Sequence, residues 1–454
     1  MCAKNIHFIA IGGSAMHNLA IALHKQGHVV TGSDDEIFEP SRGRLKAHEL
    51  LPTENGWHPE KITREIDTII LGMHAKPDNP ELQKARELGI EIVSYPEFLY
   101  RQTANKTRVA IAGSHGKTTT TAMVMHVLKA TGITFDYMVG ASIDGFDTMV
   151  NFDKNSEIAI FEADEYLSSP IDMRSKFLWY KPHLSVITGI AWDHINVFPT
   201  FESYLQTFAQ FLQTFPEKSK LFWYEKDEHL EKLIANIDSS KHQPYQGFTG
   251  KKTEHGTELS VDEKTFQVPI FGNHNLQNLN AAYYILKELG ISTEQFAHAI
   301  SSFKGAARRL QILKDAPSPI YYDFAHAPSK VKATVEAVKN QHPEKKILVI
   351  LELHTFSSLN KAFLPQYANS LNEADLAYIY YNPHTLAHKN LPQLKKNMVK
   401  NSFKHPGSWV FTNSDELFRQ ASKQYNASEQ VILIMTSGNF NGVDIKDWSA
   451  QLTS

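Results

Sequence analysis

Residues 107–132 read TRVAIAGSHGKTTTTAMVMHVLKATG, and their reading decides the fold class. Val109, Ile111 and their neighbours have the apolar, β-branched character of a short buried strand. The strand runs into Gly113-Ser114-His115-Gly116-Lys117-Thr118-Thr119. An apolar-rich segment with Ala122, Met123, Val124, Val127 and Leu128 then continues to a helix stop at Gly132. Strand, glycine turn, Lys-Thr and helix make a phosphate cradle. Glycines let backbone N–H groups approach phosphate oxygens, and the helix N-terminus adds partial positive charge. Lys117 neutralises the β/γ-phosphates, and a Thr hydroxyl can hold Mg²⁺. Ile111 stands where the Walker A pattern has a glycine, so the loop is a shorter variant. An ordinary strand–helix turn is the bland alternative, but Gly-Lys-Thr-Thr opening a helix directly after a strand favours a nucleotide site.

With 454 residues, the chain has material for about three domains of roughly 150 residues each. The 42% hydrophobic and 21% charged composition is that of an ordinary globular chain. A net charge of −3 gives no reason to expect nucleic acid or a membrane surface as partner. The single cysteine, Cys2, excludes an internal disulfide and fits a reducing compartment. No apolar run is long enough to span a bilayer, and residues 6–11 are too short for a signal peptide. The expectation is a cytoplasmic protein.

Upstream, IHFIAI leads into Gly12-Gly13-Ser14-Ala15-Met16, a helix to Gly27, and a second strand, HVVTGSD, ending at Ser33-Asp34. This βαβ pattern is Rossmann-like. Its spacing is not G-x-G-x-x-G, so a plain tight turn and a ligand site weigh about equally; Asp34 or Asp35 would serve a ribose. Strands at 67–72 and 90–96 continue the alternation, with a boundary in the polar stretch 101–106. Downstream of the cradle, a strand at 157–161 delivers Glu162 and Ala163-Asp164-Glu165, and one at 184–190 delivers Trp192-Asp193-His194. Both clusters fall at carboxyl ends of strands, where open α/β sheets bind ligands. Carboxylate oxygen suits Mg²⁺, whereas imidazole suits it less well. A cap or surface charge is the plain alternative for Glu162, and a helix-start histidine for His194.

Residues 214–268 carry no evident site. In FGNHNLQNLNAAYYILKELG, residues 271–290, His274 and Asn278 share one helix face. Arg308-Arg309 would clamp a phosphate or lie exposed. The connector KDAPSP, 314–319, marks a second boundary. Beyond it, Asp323 and His326 follow a strand, and strands at 347–353, 376–381 and 431–438 alternate with helices as a third α/β unit.

In order, HFIAIGGSAM, AGSHGKTTT, FEADE, Asp193-His194, GNHNLQNLNAA, Arg308-Arg309 and DFAHAPS resemble the Mur ligase family, the ATP-dependent amide-forming enzymes of peptidoglycan synthesis. The resemblance spans essentially the whole chain and implies an α/β fold of three domains. Residues 1–105 would form a Rossmann-like UDP-sugar domain and 106–314 a central P-loop ATPase domain with a mainly parallel sheet. Residues 315–454 would form a C-terminal Rossmann-like α/β domain that binds the incoming peptide and closes over ATP. The N-terminal segment is similar to members that take UDP-N-acetylmuramate as acceptor, which implies contacts from Gly12, Gly13, Ser14, Ala15, Met16, Ser33 and Asp34.

The implied reaction passes ATP's γ-phosphoryl to the muramyl carboxylate, and an amine then attacks the acyl phosphate. Gly113, Ser114, His115, Gly116, Lys117, Thr118, Thr119, Asn278, Arg309 and Asp323 would hold ATP, with Asn278 at adenine, Arg309 at phosphate and Asp323 at ribose. Lys117, His194, Arg309 and His326 would be catalytic, and Thr118, Glu162 and His194 would ligate Mg²⁺. Tyr166, the run Arg174-Ser175-Lys176-Phe177 and the segment DHINVFPTFESY are similar to members that join the tripeptide L-alanyl-γ-D-glutamyl-meso-diaminopimelate rather than L-alanine, which implies a recycling role. Relatives carry a basic residue after the strand at 347–353; here His354 stands in that loop and no Arg does, and Ala327 replaces a second histidine in DFAHAPS. The expected partners are small-molecule substrates, with the protein a monomer or weak homo-oligomer. Two readings of another class stand beside this one: an NAD(P)-dependent oxidoreductase on the first βαβ unit, and a nucleotide-binding protein without chemistry.

Overall fold

The structure, a computed structural model, describes residues 3–192, 197–303, 305, 308–315 and 318–452. The chain forms two compact units. One holds Met1–Ala191, Thr200–Gln246 and Ala281–Ile291; the other holds Trp192–Pro199, Gly247–Asn280 and Ser292–Ser454.

The first unit contains two sheets. The N-terminal sheet has four parallel strands in the order Val29–Ser33, Asn5–Ile9, Thr68–Leu71, Glu91–Ser94. Its last strand is shorter than the 90–96 expected from sequence. The Ser94 hydroxyl accepts from Glu97 N–H at 3.4 Å, and Pro96 sits in the first helical turn, so Tyr95–Gln102 is a helix. The helix Ser14–Lys25 begins directly after the Gly12-Gly13 turn.

The central sheet has seven strands in the order His242–Tyr245, Lys220–Tyr224, Leu184–Ile187, Thr107–Ala112, Ile158–Glu162, Asp136–Met138, Val150–Asn151. All neighbours pair in parallel except the last two strands. Thr107–Ala112 is therefore flanked by Leu184–Ile187 and Ile158–Glu162, and the carboxyl ends of all three meet around residues 113–118. Both faces are covered, which is why Val109, Ala110, Ile111 and Ala112 are all fully buried and no alternation shows in their sequence.

The second unit holds a three-stranded antiparallel sheet of Gly250–Thr253, Gly256–Val261 and Lys264–Val268, within the stretch that sequence reading left without assignment. It also holds a six-stranded sheet in the order Gln311–Lys314, Ile320–Asp323, Gln430–Met435, Lys346–Leu353, Leu376–Tyr381, Ser408–Phe411. Only its first pair is antiparallel. Ile347, Val349 and Leu351 pack into the core on one face, Leu348 and Ile350 into the core on the other. The three principal sheets give a mixed α/β, three-domain architecture with mainly parallel strands. No described helix is long and apolar enough to cross a membrane.

Candidate nucleotide site

Residues 113–116 turn the chain from the strand Thr107–Ala112 into the helix Lys117–Ala130. Two glycines are required there. Gly113 has φ +119°, and a Cβ on it would lie 2.4 Å from Thr188 Oγ1 and 2.9 Å from Thr188 N. Gly116, the N-cap of the helix, has φ +77°, in the left-handed region. The loop is fastened to its neighbouring strand's end. Ser114 N–H donates to Gly189 O at 2.9 Å, and the Thr188 hydroxyl donates to Ala112 O at 3.1 Å and to His115 O. The first-turn N–H groups of the helix lack intrahelical partners and present a partial positive charge to the turn.

Lys117 is the centre of this arrangement. Its ammonium donates to Gly113 O at 2.7 Å and to both carboxylate oxygens of Glu165, at 3.0 and 2.8 Å. Burial works against its charge, but Glu165, Asp164 and Glu162 together outweigh burial, and its pKa lies above the ordinary lysine value. Asp164, half-buried and facing Lys176 and Lys117, is held down at about 2; Lys176 Nζ lies 3.0 Å from its Oδ2. Thr118 Oγ1 donates to Glu162 Oε1 at 2.8 Å, and Gly140 N–H donates to Glu162 Oε2 at 2.8 Å. The structure thus brings Thr118 and Glu162 together. A hydroxyl and a carboxylate beside a phosphate cradle fit Mg²⁺, which binds through few protein oxygens and keeps phosphate and water for the rest. Asp193 and His194 lie outside the described residues.

Glu165 and Tyr204 were not assigned roles from sequence. The Tyr204 hydroxyl donates to Glu165 Oε1 at 3.0 Å and bonds Ser114 Oγ at 2.8 Å. Glu165 had a signal in its place in the acidic cluster FEADE. Tyr204, within the helix Phe201–Gln213, had none.

The N-terminal turn is built differently. Gly12 N–H donates to Asp34 Oδ2 at 2.7 Å, while Ala10 and Ile11 N–H donate to Ser33 O at 2.9 and 3.1 Å. Gly13 caps the helix that holds Ser14, Ala15 and Met16. Asp34 therefore ties the end of the second strand to the glycine turn. Burial, then Asp35, push its pKa up to about 7. With the folded value raised, the native state keeps a proton that the unfolded chain has released. Stability from this site is present below pH 4 and falls as pH rises towards 7. Asp34→Asn should therefore gain about 1–3 kcal/mol relative to the parent chain between pH 5 and pH 8, read as the change in denaturation midpoint. An equal midpoint difference at both pH values would contradict it.

The second unit carries the other expected residues. Asp323 accepts from Leu310 N–H and Ala325 N–H, each at 2.7 Å, and so stitches residues 308–310 to the end of its own strand. The Arg309 guanidinium lies 5.0 Å over the Phe324 ring, whose edge meets the His326 ring at 5.3 Å. His326 Nδ1 bonds Phe324 O at 2.8 Å. His274, depressed by burial, feels Asp323 and Arg309 electrostatically, and Asn278 is buried one turn further along the helix Asn273–Glu288. Asp323, Arg309, His326 and His274 gather near the carboxyl end of Ile320–Asp323. His354 lies at another strand end, its Nδ1 3.8 Å from Glu352 Oε1. Burial lowers its pKa in spite of Glu352. Glu352 Oε2 accepts from the Thr436 hydroxyl and from Phe440 N–H at 3.1 Å, fixing the 436–440 loop beside it.

The sequence matches the Mur ligase family, catalytic domain, over residues 5–107; the Mur ligase middle domain over 111–286; and the Mur ligase, glutamate ligase domain over 308–438. It is 31% identical over 384 residues to the UDP-N-acetylmuramate–L-alanine ligase of Ligilactobacillus salivarius, covering 82% of each chain. The corresponding ligase of Lactiplantibacillus plantarum is also 31% identical over 385 residues, with 82% of this chain and 83% of that one covered. Among solved structures, a murein peptide ligase from Psychrobacter arcticus superposes with a TM-score of 0.67 at 22% identity over 100% of both chains. The UDP-N-acetylmuramate–alanine ligase of Thermotoga maritima superposes with 0.69 at 21% identity, covering 99% of this chain and 98% of its own. With all three domains matched in order, the chain belongs to the Mur ligase family, whose members are ATP-dependent, ADP-forming amide ligases that use Mg²⁺.

Proposed function

We propose that this enzyme joins the tripeptide L-alanyl-γ-D-glutamyl-meso-diaminopimelate to UDP-N-acetylmuramate in peptidoglycan recycling. The ligase chemistry rests on one observation above all: Lys117, Thr118 and Glu162 converge at a glycine turn that opens a helix. In this reading Lys117 neutralises the phosphate being transferred to the muramyl carboxylate, and Thr118 and Glu162 hold Mg²⁺, which when bound stabilises the charge on that group. Residues 1–105 take the UDP-sugar, with Gly12, Gly13, Ser14, Ala15, Met16, Ser33 and Asp34 at its site. Residues 106–314 take ATP, with Asn278 at adenine and Arg309 at phosphate, and residues 315–454 take the incoming peptide, with His354 at a carboxylate. Asp323, already bonded to two backbone N–H groups, keeps lone pairs for a ribose hydroxyl. A reducing, cytoplasmic setting suits both ATP use and the single cysteine.

The tripeptide is favoured by the stretch YLSSPIDMRSKF. It forms a hairpin, Leu167–Ser169 against Asp172–Ser175, directly after the acidic cluster, and Arg174 stacks 4.4 Å over Trp179. A second reading, addition of L-alanine, is favoured by the names of the sequence relatives. A substrate panel separates the two. With UDP-N-acetylmuramate and ATP present, phosphate release should follow addition of the tripeptide; release with L-alanine and none with the tripeptide would establish the second reading instead.

A further inference from the structure

An ammonium group has three N–H donors, and all three of Lys117 are engaged: one at Gly113 O and two at Glu165. A phosphate oxygen can receive one of them only after another partner lets go. Glu165 is not a surface acid that drifted into range. Its side chain is fully buried, and the Tyr204 hydroxyl, itself bonded to Ser114 of the loop, holds its Oε1. The Lys117–Glu165 contact is thus built from the acidic cluster after Ile158–Glu162, the helix Phe201–Gln213 and the phosphate loop.

We infer that Glu165 is a positioning residue that clamps Lys117 and competes with the phosphates for it. Tyr204 is the strut that keeps the clamp in place. The inference rests on the phosphate-loop reading above and adds to it a cost of entry for nucleotide. A charge-assisted, two-point contact is among the stronger side-chain interactions, so releasing it has a measurable effect on affinity. The clamp also keeps the lysine charged and aimed at the turn.

The test is ADP binding by calorimetry in EDTA, which removes any role of Glu165 toward a metal. Glu165→Gln leaves Lys117 one neutral acceptor in place of a two-point carboxylate, and should tighten ADP by about tenfold. Tyr204→Phe, which keeps the ring's packing, should tighten it by a smaller factor, about threefold. Asp164→Asn is the control for charge alone: Asp164 also acts electrostatically on Lys117, but its carboxylate bonds Lys176. It should change ADP affinity much less than Glu165→Gln. Unchanged or weaker ADP binding by Glu165→Gln in EDTA overturns the clamp, as does an equal tightening by Asp164→Asn. Parent protein that binds no ADP at all overturns the phosphate-loop reading itself.

Discussion

Replacing Lys117 by methionine should lower kcat by about 10³–10⁵-fold, because phosphoryl transfer is catalysed mainly by fixed positive charge near the transferring group. The expected loss matches that of other single cationic groups aimed at a phosphoryl transition state. The structure adds a consequence for stability. Glu165 is fully buried, and Lys117 is its counter-ion, at 2.8 Å. Removing the lysine strands a buried carboxylate, at a cost of about 3–5 kcal/mol. The single variant should therefore be both inactive and less stable. The double variant Lys117→Met with Glu165→Gln should regain most of the lost stability and none of the activity. Phosphate release measured beside thermal denaturation separates the two effects. Ligation by the single variant at the parent rate would remove Lys117 from the mechanism.

The second large effect concerns Arg108, which no sequence motif singles out. Its guanidinium is buried and donates to five backbone carbonyls: Tyr180 at 2.8 Å, Lys181 at 3.0 Å, Ala104 at 2.9 Å, Thr103 at 3.2 Å and Lys106 at 3.4 Å. Three of these belong to the stretch between the first and central sheets. The other two lie just before the strand Leu184–Ile187. Burial pulls the guanidinium below its ordinary pKa, and the Tyr100 ring 5.1 Å away adds a cation–π contact. Arg108→Met fills much of the same volume but leaves five carbonyls without this donor. The contacts to Tyr180 and Thr103 are buried and the other three are partly so; at about 1 kcal/mol for each carbonyl that water cannot reach, the expected loss is about 2–4 kcal/mol in denaturant unfolding. A loss under about 1 kcal/mol would show that the carbonyls find other partners.

Both residues mark the limit of what could be read in advance. The glycine turn between strand and helix and the strand–helix alternation were legible, because each depends on local backbone conformation. Boundaries were less so. Tyr95 and Pro96 fit the apolar pattern of the preceding strand, and the Ser94 cap that starts a helix there competes with that pattern over only a few residues. The antiparallel sheet at 250–268 escaped notice because its strands Gly250–Thr253 and Lys264–Val268 are largely exposed and show little apolar patterning.

From sequence alone came the class of this protein: three α/β domains with a nucleotide turn in the middle one. Its determinants are contiguous, since a strand, two glycines and a Lys-Thr pair dictate their own geometry within a few residues. Tertiary structure alone decided which groups Lys117 and Arg108 answer to. Lys117 meets Glu165 across 48 positions, and Ser114 meets Tyr204 across 90. Such pairs arise because strand order places Ile158–Glu162 and Leu184–Ile187 on either side of Thr107–Ala112, and a parallel sheet joins neighbours only through long crossovers that no local pattern records.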